Sequence, residues 1–220
     1  MLDIIIRIVI LLIFSKLVYY YPNLKKYKSV TRFNFYRSLM CLYFSFNSLD
    51  IIINNFRNGI SSPILYKNKS FDNITNWFIA YLAYDLFVIF TNKKKRLDLI
   101  IHHLFCFLVY IYQKKNNHCN FLMVLFLITE SMSIVSGLDN IAKEENNIKL
   151  SCKFKKFRLK IIRNLRIPVW ILSLLIFIRF KKHSNSDLQF YFTIIGPLIM
   201  IYLDNYWENL CVKFLKKNNK

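Results

Sequence analysis

Apolar residues run along this chain in long blocks, and polar residues gather between them. The blocks fall at 2–21, 35–54, 74–91, 98–113, 119–138, 165–180 and 188–207. Their lengths approach what a helix needs to cross a hydrocarbon core ~30 Å thick. A soluble domain would break its apolar residues into short, interrupted runs. The pattern therefore predicts an all-α, multi-pass transmembrane bundle of about seven helices, one compact membrane domain with no soluble module. Residues 1–34 read as a first transmembrane helix and a basic cytosolic loop, 35–215 as the main membrane domain, and 216–220 as a short basic cytosolic tail.

Three details qualify the pattern. The first block carries Asp3, Arg7 and Lys16, and Tyr19, Tyr20, Tyr21 and Pro22 follow where a cleavage site would need small residues. It reads as a retained helix. The connection 139–164 interleaves Phe154, Phe157, Leu159, Ile161 and Ile162 with cations. Two readings fit it equally: an amphipathic helix lying on an anionic leaflet, or a flexible basic loop. In the last block, Gly196 and Pro197 predict a kink or local unwinding.

Composition agrees with a membrane chain, at 55% hydrophobic residues and only three glycines. The formal net charge of +20 invites a nucleic-acid reading. The Lys and Arg residues do not collect on one element, however, so nucleic acid is not an expected partner. They fill the gaps, and gaps on alternate sides of the blocks hold 22 on one side and 8 on the other. Cations favour the cytosolic side, which predicts a lumenal N-terminus and a cytosolic C-terminus. The sequons at Asn68 and Asn73 then fall on the lumenal side, and their glycosylation is left open. The five cysteines form no C-x-x-C pair and read as apolar filler.

Ionisable groups inside membrane spans are costly, so each marks a candidate site. At ~1.5 Å of rise per residue, His102 and His103 stand ~6–8 Å below the cytosolic boundary, Asp85 ~9 Å and Glu130 ~12 Å. Arg37 and Asp204 lie nearer that surface. Groups from five spans thus share one half of the bilayer, which predicts a polar cavity open to the cytosol. Asp98 stands four residues before His102, on the same helical face. A carboxylate accepting from Nδ1 would fix the imidazole tautomer and leave Nε2 as base or nucleophile. His103 is turned ~100° away. Buried His–Asp and His–Glu pairs that only hold helices together would give the same pattern.

Other chemistries find little support. Four histidines are too few for a membrane di-iron site, and adjacent histidines rarely share one zinc ion. No P-loop, G-x-G-x-x-G or G-x-S-x-G motif occurs. No metal and no cofactor are expected.

The stretch RLDLIIHHLF resembles the histidine-pair motif of the TLC family, the TRAM–LAG-type membrane domain. YRSLMCLYFSF resembles that family's Arg-bearing second helix, and IAYLAYDLFVIF its Tyr-Asp helix before the histidines. ITESMS at Glu130 resembles the acidic segment after them, and YLDNYWENLCVKF the aromatic-basic end. The resemblance implies a helical bundle in the endoplasmic reticulum acting in membrane lipid metabolism or homeostasis. In the ceramide synthases of this family, paired histidines transfer an acyl group from acyl-CoA to a sphingoid amine. Carried over, His102 and His103 become base and nucleophile, supported by Asp85, Asp98 and Glu130. Arg37, Lys94, Lys95 and Arg96 become substrate-binding cations for the acyl-CoA, with membrane lipids as the other partners. The chain departs from the ceramide synthases in having Ser133 three residues after Glu130, where they carry a second aspartate, and Tyr43 where many relatives carry histidine. It is nearer in these respects to the small TLC-domain-containing members. A non-catalytic lipid sensor, cargo factor or translocon-associated protein is the alternative.

Overall fold

The computed structural model describes residues 2–57, 69–91, 96–116, 120–179 and 187–218, and among these every regular element is helical. The helices are α1 (Leu2–Tyr20), α2 (Ser29–Arg57), α3 (Lys69–Thr91), α4 (Leu97–Lys115), α5 (Asn120–Ile128), α6 (Ser131–Glu144), α7 (Ile148–Ile161), α8 (Ile167–Arg179) and α9 (Asp187–Asn218). α5 and α6 run end to end through a tight turn at Thr129 and Glu130. α7 passes into α8 through a π-helical segment, Ile162–Arg166. These elements form seven rods, the all-α bundle the apolar blocks predict.

Among the described residues, three rods are long and apolar enough to cross a membrane: Lys69–Thr91, Phe121–Glu144 and Ile148–Arg179. The others are diluted by charge or imidazole, as α1 is by Asp3, Arg7 and Lys16 and α4 by its histidine pair. The surface of the bundle is nonetheless apolar. On α1, Ile5, Ile6, Val9, Ile10, Ile13 and Leu17 are all about half exposed or more. A soluble monomer rarely exposes contiguous apolar area of this kind, whereas lipid tails accept it.

The inward faces follow helical spacing. α1 buries Leu11, Ser15 and Val18, and the Ser15 hydroxyl lies 2.5 Å from that of Tyr84 on α3. α3 is covered on most sides, by α1, α2, α4 and α5. α2 and α6 approach most closely at Gly137, where an added Cβ would stand 1.8 Å from Ser38 Oγ and 2.8 Å from the Asn34 carbonyl oxygen.

The segment 139–164 differs from both sequence readings. α6 continues to Glu144, Asn146 turns the chain at φ 55°, and the Asn147 side chain caps α7 by accepting from the Leu150 amide. α7 then points Ser151 and Lys155 inward onto Asp139 instead of lying flat. It is neither a loose loop nor a separate surface helix, because it continues into α8. At Gly196 and Pro197, α9 stays helical without unwinding.

Candidate functional site

The turn between α5 and α6 builds the site. Its backbone makes i→i+3 bonds, with Glu130 N donating to Leu127 O and Ser133 N to Glu130 O. The Thr129 carbonyl keeps only a long bond inside the turn, from Met132 N at 3.4 Å, and Arg166 Nη1 donates to it at 2.6 Å. Glu130 thereby projects from an interruption in the rod, against the histidines of α4. The carboxylate lies 3.7 Å from His102 Nε2 through Oε1. Ser133 Oγ and Cys41 Sγ donate toward its other oxygen, at 3.5 and 3.8 Å.

His103 has a second carboxylate. Its Nδ1 lies 2.8 Å from Asp85 Oδ2, and Arg37 clamps the same carboxylate through Nε at 2.6 Å and Nη2 at 3.0 Å. Asp85 is fully buried, and both histidines are buried as well. The two imidazoles meet edge to face, 5.0 Å between centroids. Five residues singled out from the sequence, Arg37, Asp85, His102, His103 and Glu130, are therefore brought together.

Asp98 is not among them. Its position on the His102 face holds, but Arg96 grips both oxygens of the carboxylate, through Nε to Oδ1 and Nη2 to Oδ2, and Trp207 Nε1 donates to Oδ2 at 2.9 Å. Trp207 in turn sets its ring edgewise to His102, 5.6 Å between centroids. Asp98 thus orients a tryptophan, and the Nδ1 of His102 faces Met200 Sδ at 3.3 Å instead. Asp204 likewise pairs elsewhere, with Arg166 Nε at 2.7 Å and Trp170 Nε1 at 2.8 Å. Lys94, Lys95 and Asn68 lie outside the described residues. Asn73 is in the first turns of α3 and accepts from Arg7 Nη2 at 3.0 Å. Sequence reasoning overlooked Trp207, Met200 and the burial of Arg166. The i, i+3 spacing of Asp204 and Trp207 on one helix was the available signal for the first.

Two cavities meet at this cluster. One is polar, about 330 Å³, and is bounded by Arg37, Arg96, His103, Lys155, Arg158 and Arg166 among others. Asp139 is shared between Lys143 and Lys155, at 2.9 and 2.8 Å, so its single charge leaves the wall positive. Arg158 Nε and Arg166 Nη2 are buried and without a hydrogen-bond partner. The other cavity is a narrow apolar slot of about 40 Å³ running between α4, α8 and α9. His102 and Glu130 are the two residues that line both. Among the described residues no group of three His, Cys, Asp or Glu side chains forms a candidate metal site.

Compared with protein-family models, with curated proteins and with solved structures, the chain finds no match.

Proposed function

We propose that this chain is a TLC-type, multi-pass protein of the endoplasmic reticulum that transfers an acyl group from acyl-CoA to a lipid amine. One observation carries the reading: His102 and Glu130 stand where a positively lined polar cavity meets an apolar slot. That junction suits an amphiphile whose head stays among cations, whose tail enters hydrocarbon and whose reactive carbonyl rests between them. A phosphorylated head group would take the unpartnered donors of Arg158 and Arg166.

The chemistry divides between the two imidazoles. His102, reaching both cavities, attacks the thioester carbon, and the C–S bond breaks as the thiolate leaves into the polar cavity and takes a proton from water there. The amine nitrogen then attacks the acyl-imidazole and forms the amide. His103, buttressed by Asp85 and Arg37, takes the proton the amine loses. Glu130 offsets the positive charge that develops on His102.

The experiment is acyl transfer from labelled long-chain acyl-CoA to a panel of sphingoid and lysolipid amines, in membranes lacking their own ceramide synthases. His102→Ala and His103→Ala are compared with wild type at equal membrane abundance. The expected result is amide product from wild type, reduced at least about a hundredfold by either substitution. No product from wild type across the panel overturns the enzymatic reading and favours a lipid sensor or translocon-associated factor. Loss of the folded protein in both variants would assign the histidines to structure.

A further inference from the structure

We infer that the apolar slot receives a hydrocarbon chain whose far end carries a hydroxyl, and that the buried carboxamide of Gln113 binds that hydroxyl. The inference rests on the reading that the slot takes a lipid tail. On α4 the slot is lined by His102, Phe105, Cys106, Val109, Tyr110 and Gln113. Those positions step by three and four residues, so they form one continuous helical stripe. α9 faces it with Met200 beside His102 and Gly196 beside Phe105, where an added Cβ would stand 3.2 Å from the ring. The stripe therefore begins at the histidine and ends at Gln113, about 16 Å further along the helix.

The end of such a slot should be apolar if it closes on a methyl group. Instead Gln113 is only 1% exposed, and neither its Oε1 nor its Nε2 has a hydrogen-bond partner. The two hydroxyls that line the same stretch of the slot are satisfied. Tyr110 donates to the Met123 carbonyl at 2.6 Å, and Thr193 to that of Phe190 at 2.7 Å. A buried amide left unpaired on both atoms is costly, and a ligand group that both accepts and donates relieves it. A hydroxyl does both. A carboxylate would be an uncompensated charge among aromatic and aliphatic walls. The slot is narrow, so an entering chain displaces the flexible side chains of Met123 and Met200, which line it.

The test uses the purified full chain and needs no turnover. Binding of a long-chain primary alcohol is compared with that of the α,ω-diol of equal length, chosen to span about 16 Å. The signal is intrinsic tryptophan fluorescence, since Trp170 lines the slot. Wild type is expected to bind the diol at least about tenfold more tightly. Gln113→Leu, which removes the unpaired amide while keeping the volume, is expected to fold normally and reverse the preference. Equal affinity for alcohol and diol in wild type overturns the assignment of Gln113 while leaving a tail-binding slot intact. Binding of neither probe overturns the slot reading as well. A diol preference that persists in Gln113→Leu places the hydroxyl elsewhere and also overturns the assignment.

Discussion

Asp204 shows how a buried carboxylate can belong to architecture while its neighbours suit chemistry. It is fully buried and pairs with Arg166, itself 1% exposed, while Trp170 donates to its second oxygen. Arg166 also donates to the Thr129 carbonyl, so this one ion pair ties α9 to the π segment and to the turn that presents Glu130. Removing one partner of a buried pair leaves the other charged and unpaired, at about 3–5 kcal/mol. Asp204→Asn is expected to lower the thermal midpoint of the detergent-purified protein sharply, whereas Glu208→Gln, which removes only the solvent-facing pairing with Arg163, leaves it nearly unchanged. A thermal-shift measurement on both variants checks the contrast. At this scale the sequence was partly legible. Depth alone placed Arg37, Asp85, His102, His103, Glu130 and Asp204 in one half of the bundle, because spans of similar length place similar positions at similar heights. Depth could not tell which carboxylate meets which imidazole. Asp98 has the right spacing to His102, yet Arg96 and Trp207 compete for its oxygens and take them.

Helices in this bundle are positioned by where they can touch and where they break. α2 and α6 meet at Gly137, with Ser38 Oγ donating across to the carbonyls of Ser133 and Ile134 at 3.1 and 3.3 Å. No side chain fits there, so Gly137→Ala forces the helices apart. Overpacking of this kind costs about 1–3 kcal/mol, and it also shifts the α6 end that carries Glu130. The expected outcome is a lower thermal midpoint, partly restored in the Ser38→Ala, Gly137→Ala double variant. Restoration stays incomplete because the Asn34 carbonyl, at 2.8 Å from the added Cβ, is not removed. A double-mutant cycle on thermal stability measures the coupling. Rod positions were legible from the apolar blocks, while the breaks were not. Thr129 and Glu130 carry no Gly or Pro to announce a turn, and the π segment reads as ordinary helix. Conversely, Gly196 and Pro197 suggest an unwinding that α9 does not make. A helix held on several sides by neighbours tolerates a residue that would unwind it alone.

The whole molecule has two unlike ends, and their chemistry bears on its orientation. At one end the link after α1 meets the turn after α6, with Lys26 Nζ 3.1 Å from Glu145 and the Lys28 amide 2.6 Å from Glu144. Lys143 and Lys155 gather beside Phe214 near the end of α9, so the close of the chain belongs to the same end. At the other end Arg7 and Asp3 meet Asn73 and Asn76. The polar cavity shares its lysines with the first of these ends, and its acyl donor would have to come from the water there. With 22 of the cations assigned by the sequence pattern to that end and 8 to the other, the positive-inside rule predicts that it faces the cytosol. Seven crossings would then put the two termini on opposite faces. In sealed microsomes, protease is expected to remove an epitope tag at the C-terminus and to spare one at the N-terminus until detergent is added. If both tags are digested, or both protected, the number of crossings is even, and one rod must lie outside the bilayer; α1, with Asp3, Arg7 and Lys16, is the first suspect. If the protection is inverted, the polar cavity opens to the lumen, where cytosolic acyl-CoA cannot reach it, and the acyltransferase reading falls with the topology.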